Sequence, residues 1–103
     1  MPVMGMLMLG LEPSGHGTQQ GSSGAFEIGA DSVSMVVTAG SSPDVVLDFD
    51  VPGDGGFLVP AGTSVYLPFA AGFRWEAVDG EAKVSAMWFK LKRNGELKQK
   101  IGL

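Results

Sequence analysis

The chain has 103 residues, enough for one domain with a modest core. It contains no cysteine, which excludes a disulfide scaffold and a thiolate metal site, and its formal net charge is −4. Sixteen glycines and six prolines are many for this length and favour short strands joined by frequent turns.

The first eleven residues, MPVMGMLMLGL, are apolar on both sides of a strand pattern. They are too short to cross a bilayer and no basic residue precedes them, so we expect a soluble protein made without a secretion signal. Methionine adapts to irregular contact surfaces, so the run predicts either a strand buried on both faces or an arm docked on a partner. The candidate contact residues are Met4, Met6, Leu7, Met8 and Leu9.

Residues 12–24, EPSGHGTQQGSSG, contain no aliphatic or aromatic side chain. This composition predicts a flexible linker. The expected organisation is an N-terminal arm and linker over 1–24, a β-sandwich body over 25–91, and a basic C-terminal strand or arm over 92–103.

Alternation of apolar and polar residues predicts the strands of the body. The pattern covers residues 33–38, 45–51, 64–69, 73–78 and 82–91, with a short strand over 57–59. If consecutive strands form hairpins, the loop lengths set their register. The predicted pairs are Val37 with Val45, Leu67 with Trp75, and Glu76 with Lys83.

About seven or eight short strands separated by turn signals predict an all-β fold. The expected architecture is an antiparallel β-sandwich or barrel, of jelly-roll or tulip-like type, with an extended N-terminal arm.

The last body strand is apolar on its second face as well, through Met87, Phe89 and Leu91. A strand buried on both faces needs a cover. Either a second sheet of the same domain or a neighbouring subunit would supply it, and these three residues join the candidate partner-binding set.

Enzyme chemistry finds little support in the sequence. His16 is the sole histidine and lies in the predicted linker, where we expect it to be solvated. With one histidine and no cysteine, both a Cys–His pair and any multi-histidine metal site are excluded. The acids Asp48, Asp50 and Asp54 leave an irregular calcium loop open beside a polar strand face, because Pro52 breaks the EF-hand spacing. We expect neither catalysis nor a cofactor.

Charge is unevenly distributed along the chain. Residues 1–82 carry ten of the eleven acids and one base, whereas residues 83–103 carry the other six bases. An acidic body disfavours nucleic-acid binding, and the opposite charges suit contacts between copies or with an acidic partner. Among the aromatic residues, the predicted register places Trp75 and Trp88 in the core and Tyr66 outside, where Tyr66 would be free to stack on a sugar ring.

The run GTSVYLPFAAGFRWEAVDGEAKVSAMWF, with the Gly-rich turns and the N-terminal arm, resembles small β-domains of tailed-bacteriophage heads and tails over residues 25–91. The resemblance implies a decoration or cement protein on the capsid surface, made in the host cytoplasm and often trimeric. Its implied partners are a major capsid protein or another virion protein, and copies of itself, with neither nucleic acid nor membrane. Alternatives are a tail or fibre domain, a carbohydrate-binding module and a small hydrolase.

Overall fold

The computed structural model describes residues 10–49 and 56–92. These residues form two four-stranded antiparallel sheets, which we name sheet A, with strand order β1-β8-β3-β6, and sheet B, with strand order β2-β7-β4-β5. The strands are β1 (Leu11–Gly21), β2 (Ser23–Phe26), β3 (Ser32–Ala39), β4 (Val45–Asp48), β5 (Phe57–Val59), β6 (Ser64–Leu67), β7 (Phe73–Ala77) and β8 (Ala82–Leu91).

The strand pairing follows one rule. β1 pairs with β8, β2 with β7, β3 with β6, and β4 with β5. The chain therefore runs as one long hairpin with its tip between β4 and β5, rolled so that successive pairs fall in opposite sheets. This is the topology of an eight-stranded jelly roll, and it confirms the predicted all-β sandwich. No ladder joins the two sheets in the described strands, so the fold is a sandwich and not a closed barrel.

The predicted strand positions from residue 33 onward are confirmed within the described residues, but the predicted hairpins are wrong. Val37 pairs with Val65 and Ala86 instead of Val45. Leu67 lies opposite Met35, and Trp75 belongs to the other sheet. The β3–β4, β6–β7 and β7–β8 loops, which were predicted to close hairpins, each cross from one sheet to the other. The alternating residues of the strands that they join therefore face each other across the core.

The predicted ion pair between Glu76 and Lys83 fails for the same reason. Glu76 lies in sheet B between Ser23 and Val46, whereas Lys83 lies in sheet A opposite Gln20. The Asp79-Gly80 turn is present, and Gly80 has a φ of 66°, but the turn forms a corner between sheets.

The predicted flexible linker is also wrong, because residues 12–24 form most of β1 and the start of β2. β1 is an edge strand of sheet A and pairs with β8 along nearly its whole length. Two of its glycines lie over aromatic rings. A Cβ at Gly15 would be 2.6 Å from Nε1 of Trp88, and a Cβ at Gly17 would be 3.3 Å from Cε1 of Phe26. The low hydrophobicity of this segment reflects that close approach, and the body begins near residue 11.

The core lies between the sheets and is aliphatic at its centre. The largest fully buried side chains are Met35, Leu47, Val37, Val45, Val59 and Val84. Trp75 is buried as predicted, and Trp88 is partly buried against the core. The alternation over residues 64–69 predicts Phe69 on the same side as Leu67, but Phe69 is 44% exposed. It meets Phe49 edge-on, with 5.3 Å between ring centroids.

One side chain joins the two sheets by hydrogen bonds. Oε1 of Gln19, on β1, accepts a hydrogen bond from the Trp75 indole N–H at 2.7 Å. Nε2 of Gln19 donates to the carbonyl oxygen of Ala25 at 2.6 Å. A buried indole N–H normally needs such a partner, so Gln19 allows Trp75 to lie in the core without an unsatisfied donor.

The turn after β5 shows how a loop is held. Its main chain closes with a hydrogen bond from the Thr63 N–H to the Pro60 carbonyl oxygen at 3.2 Å, and Gly62 has a φ of 75°. A positive φ at the third position is what a type II turn requires. Oδ1 of Asp44 accepts a hydrogen bond from the Ala61 N–H at 2.8 Å, which ties this turn to the loop before β4.

The approach of β1 to Trp88 gives a stability test. We expect Gly15→Ala to lower the free energy of unfolding by about 1–3 kcal/mol, because the added methyl group must displace the indole ring. Gly17→Ala should cost clearly less, because its methyl group would lie 3.3 Å from Cε1 of Phe26 and needs only a small shift of that ring. Urea titration followed by tryptophan fluorescence measures both, and equal stability of Gly15→Ala and the parent would contradict this account of β1.

Candidate interaction surface

The side of sheet A that faces away from sheet B is the outer face of sheet A. Along β8 the residues Ala82, Val84 and Ala86 are buried towards the core, so Ser85 and Met87 point to the outer face. Since sheet B packs on the other side, the structure supplies no second-sheet cover for the apolar outer face over the described residues. Met87 and Leu91 on this face are 41% and 60% exposed.

The strand register brings one residue from each strand into a row across the outer face. His16 lies opposite Met87, Met87 opposite Val36, and Val36 opposite Tyr66. Met87 is 41% exposed and Tyr66 is 56% exposed, so the row is accessible. Tyr66 therefore points outward as predicted.

The outer face is more apolar towards one end. There Pro13 lies opposite Phe89, and Leu11 lies opposite Leu91, which is 60% exposed. The Lys92 N–H donates to the Gly10 carbonyl oxygen at 2.8 Å and closes this end of the β1–β8 pair. Gly10, the first described residue, therefore lies beside the apolar end of the face.

The sequence-based candidates divide accordingly. Met87 and Leu91 are exposed on the outer face, and Phe89 between them is half-buried. The remaining candidates, which lie outside the described residues, are Met4, Met6, Leu7, Met8 and Leu9. The basic segment 93–103 lies outside them as well.

A second row across the outer face consists of hydroxyl groups. The register aligns Thr18, Ser85, Thr38 and Ser64, one from each strand of sheet A. The Thr18 and Ser85 hydroxyl oxygens are 3.0 Å apart, and those of Thr38 and Ser64 are 2.7 Å apart. Each hydroxyl group of this row therefore already has a hydrogen-bond partner within the sheet.

Charge is nearly absent from these rows. Lys83, opposite Gln20, is the cation beyond the hydroxyl row, and Glu12 alternates to the other side of β1, where its carboxylate lies 3.9 Å from Nζ of Lys90. Two other acidic residues of the described strands, Asp48 and Glu76, belong to sheet B. The described carboxylates therefore lie outside these two rows.

The outer face of sheet B has a different character. It forms a depression of about 640 Å³ lined by polar residues that include Ser23, Asp48, Arg74 and Glu76. Nη2 of Arg74 lies 2.9 Å from Oδ2 of Asp48, with both side chains about half exposed. Exposed pairs of this kind contribute less than about 1 kcal/mol, so the pair matters more for surface charge than for stability.

The structure assembles no chemical site from the residues that it describes. His16 is exposed, as expected, but it lies in β1 rather than in a loop. Within residues 10–49 and 56–92, no group of three or more histidines and carboxylates lies close enough to hold a metal ion. Asp50 and Asp54 of the hypothetical calcium loop lie outside these ranges. The same ranges contain no helix long and apolar enough to cross a membrane.

Of the three aromatic residues Tyr66, Trp75 and Trp88, two are poorly placed to stack on a sugar ring. Trp75 is 2% exposed, and Trp88 is partly buried against the core. Neither ring is available for stacking on a sugar, as the predicted strand faces already indicated. Of these three residues, Tyr66 remains exposed.

No family model, curated protein or solved structure matches this chain. The resemblance to bacteriophage β-domains therefore stays a prediction, and function must be argued from the surfaces.

Two residues of β3 differ in whether their hydroxyl groups have a hydrogen-bond partner: Ser34, which is buried, and Thr38, which belongs to the hydroxyl row. Ser34 is 3% exposed, and its hydroxyl group has no hydrogen-bond partner in the described structure. Since an unsatisfied buried hydroxyl costs about 1–3 kcal/mol, we expect Ser34→Ala to raise the free energy of unfolding by about 1 kcal/mol. Thr38→Val removes the bond to Ser64 and should lower it by about 0.5 kcal/mol. Urea unfolding decides, and a loss of stability in Ser34→Ala would refute the assignment.

Proposed function

We propose that the protein is a non-enzymatic structural protein of a bacteriophage virion, which decorates and stabilises the capsid lattice. The observation that carries this proposal is the exposed outer face of sheet A, with the apolar residues 1–9 joining the body at its apolar end. Exposed contiguous apolar surface on a small domain marks a contact with another macromolecule.

In this proposal, residues 1–9 form an arm that docks on the major capsid protein or another virion protein. Met4, Met6, Leu7, Met8 and Leu9 supply its apolar contacts. An extended segment of this kind can add to a neighbouring sheet edge, where main-chain hydrogen bonds give affinity and side chains give specificity. Symmetric copies on one lattice would gain avidity from many weak contacts.

Fold and charge support the same proposal. The eight-stranded jelly roll is used by viral capsid proteins as well as by lectins, so the fold is compatible with a virion role by analogy alone. A net charge of −4 opposes binding to nucleic acid, which suits a place on the outside of a capsid. The protein would be made in the host cytoplasm and reach the capsid surface by assembly.

The arm gives a direct test. Deletion of residues 1–9 should leave the sandwich folded, because the described β1–β8 pairing begins at Leu11. The same deletion should abolish co-sedimentation with shells of the same virion that lack this protein. Tryptophan fluorescence and the urea midpoint check the fold, since Trp75 and Trp88 report on both sheets.

A matched control is the full-length chain with Leu58→Ser, which changes a side chain that is 52% exposed on β5. This variant should still bind the shells. Normal binding by the truncated protein, or failure of the full-length parent to bind at all, would contradict the proposal.

The second candidate is a carbohydrate-binding domain, including a tail or fibre domain that binds a receptor glycan. It is favoured by the exposed ring of Tyr66, which lies on β6 two residues from Ser64 of the hydroxyl row. An aromatic platform beside polar groups suits a sugar, whose faces are apolar and whose edges carry hydroxyls.

This candidate predicts binding on a glycan array that Tyr66→Ala reduces at least tenfold. Leu58→Ala, on the other sheet, serves as the control and should bind as the parent does. Binding that survives Tyr66→Ala, or an array without any bound glycan, would reject the carbohydrate function.

A further inference from the structure

We infer that the outer face of sheet A is the contact between two copies of this chain, which stack face to face about a twofold axis. The inference rests on the proposed role as an assembly protein, and it names the partner of this face and the symmetry of the contact. It differs from the trimer that the bacteriophage resemblance implies.

The first argument is electrostatic. Copies of an acidic protein repel one another, so they approach most easily through a surface without carboxylates. The two rows on the outer face of sheet A contain none, and Lys83 lies beyond them. Stacking through sheet B would instead bring Asp48 and Glu76 of one copy towards the same residues of another. The charge distribution therefore selects sheet A for contact between identical copies.

The second argument concerns the cost of removing water. A hydroxyl group buried without a partner destabilises an interface. In the hydroxyl row, Thr18 already bonds with Ser85, and Thr38 already bonds with Ser64. The row can therefore be covered by another sheet without leaving these groups unsatisfied. A flat polar surface that bonded only with water would not have this property.

The third argument is area. Four strands about 4.8 Å apart, with β8 about 30 Å long, give a face of about 500 Å² per copy. Two copies would bury about 1,000 Å² in total, near the lower limit for a specific interface. Met87 lies on a central strand of this face, and Tyr66 lies on the opposite edge strand from His16. These side chains are placed to anchor a dimer of moderate affinity.

The twofold symmetry of the contact follows because both copies use the same face. When the same surface supplies both sides of a contact, the contact closes with two copies, whereas a trimer needs two different surfaces on each copy. Sheets that stack in this way lie about 10 Å apart, which leaves room for the side chains of both faces to interdigitate.

The test is the mass of the full chain in solution, measured by sedimentation equilibrium over a range of concentrations. We expect a monomer–dimer equilibrium built on the 10.7 kDa chain. Met87→Glu should weaken the dimer at least tenfold, because two added carboxylates meet near the axis. The control Leu58→Glu adds the same charge to an exposed position of sheet B and should leave the dimer unchanged.

A rescue experiment separates loss of the contact from loss of the fold. Mixing Met87→Glu with Met87→Lys should restore a dimer that neither variant forms alone. A monomer at every concentration, a stable trimer, or equal effects of the sheet A and sheet B variants would overturn the inference. Its failure is distinguishable from failure of the virion role, because shell co-sedimentation of the parent tests that role independently of mass.

Discussion

The missing side chains at Gly15 and Gly17 allow β1 to lie against Trp88 and Phe26, and the rest of the sandwich depends on this approach. A Cβ at Gly15 would occupy the position of the indole ring. Because β1 can lie there, it satisfies the edge of β8 with main-chain hydrogen bonds and covers one end of the core. Gln19 then completes the junction by bonding with Trp75 and with Ala25 of sheet B.

The same strand creates the outer face as a surface. β1 contributes His16 to the row that contains Met87, Val36 and Tyr66, and it contributes Thr18 to the hydroxyl row. Without it, Ser85 would lack its hydroxyl partner and β8 would be an exposed edge. The pairing that completes the core thus also produces a broad, nearly uncharged face with satisfied polar groups. Stability and the proposed interaction surface have a common origin in β1.

The sequence was sufficient to predict the strands from β3 onward and most of their buried faces, because alternation is a local property. Val37, Leu47 and Trp75 are buried, and Tyr66 and Met87 are exposed, as that pattern indicates. Strand partners were not predictable from loop length, since a short loop or an Asp-Gly turn can join neighbouring strands or cross between sheets. β1 was missed because its glycines resemble a linker until Trp88 is known to lie beneath them. The hydroxyl row was missed for the same reason, since it exists only once four distant strands are aligned.

The two outer faces differ in the properties that the proposed assembly role requires. Sheet B carries Arg74, Asp48 and Glu76 on a hydrated surface, which favours solubility at a net charge of −4. Sheet A combines apolar side chains with hydroxyl groups that are already paired, so it can lose its water at little cost. A sandwich that was charged on both faces would remain monomeric, and one that was apolar on both would aggregate without order. In the proposed dimer, this asymmetry directs association to the outer face of sheet A, which the β1–β8 pairing extends by one strand.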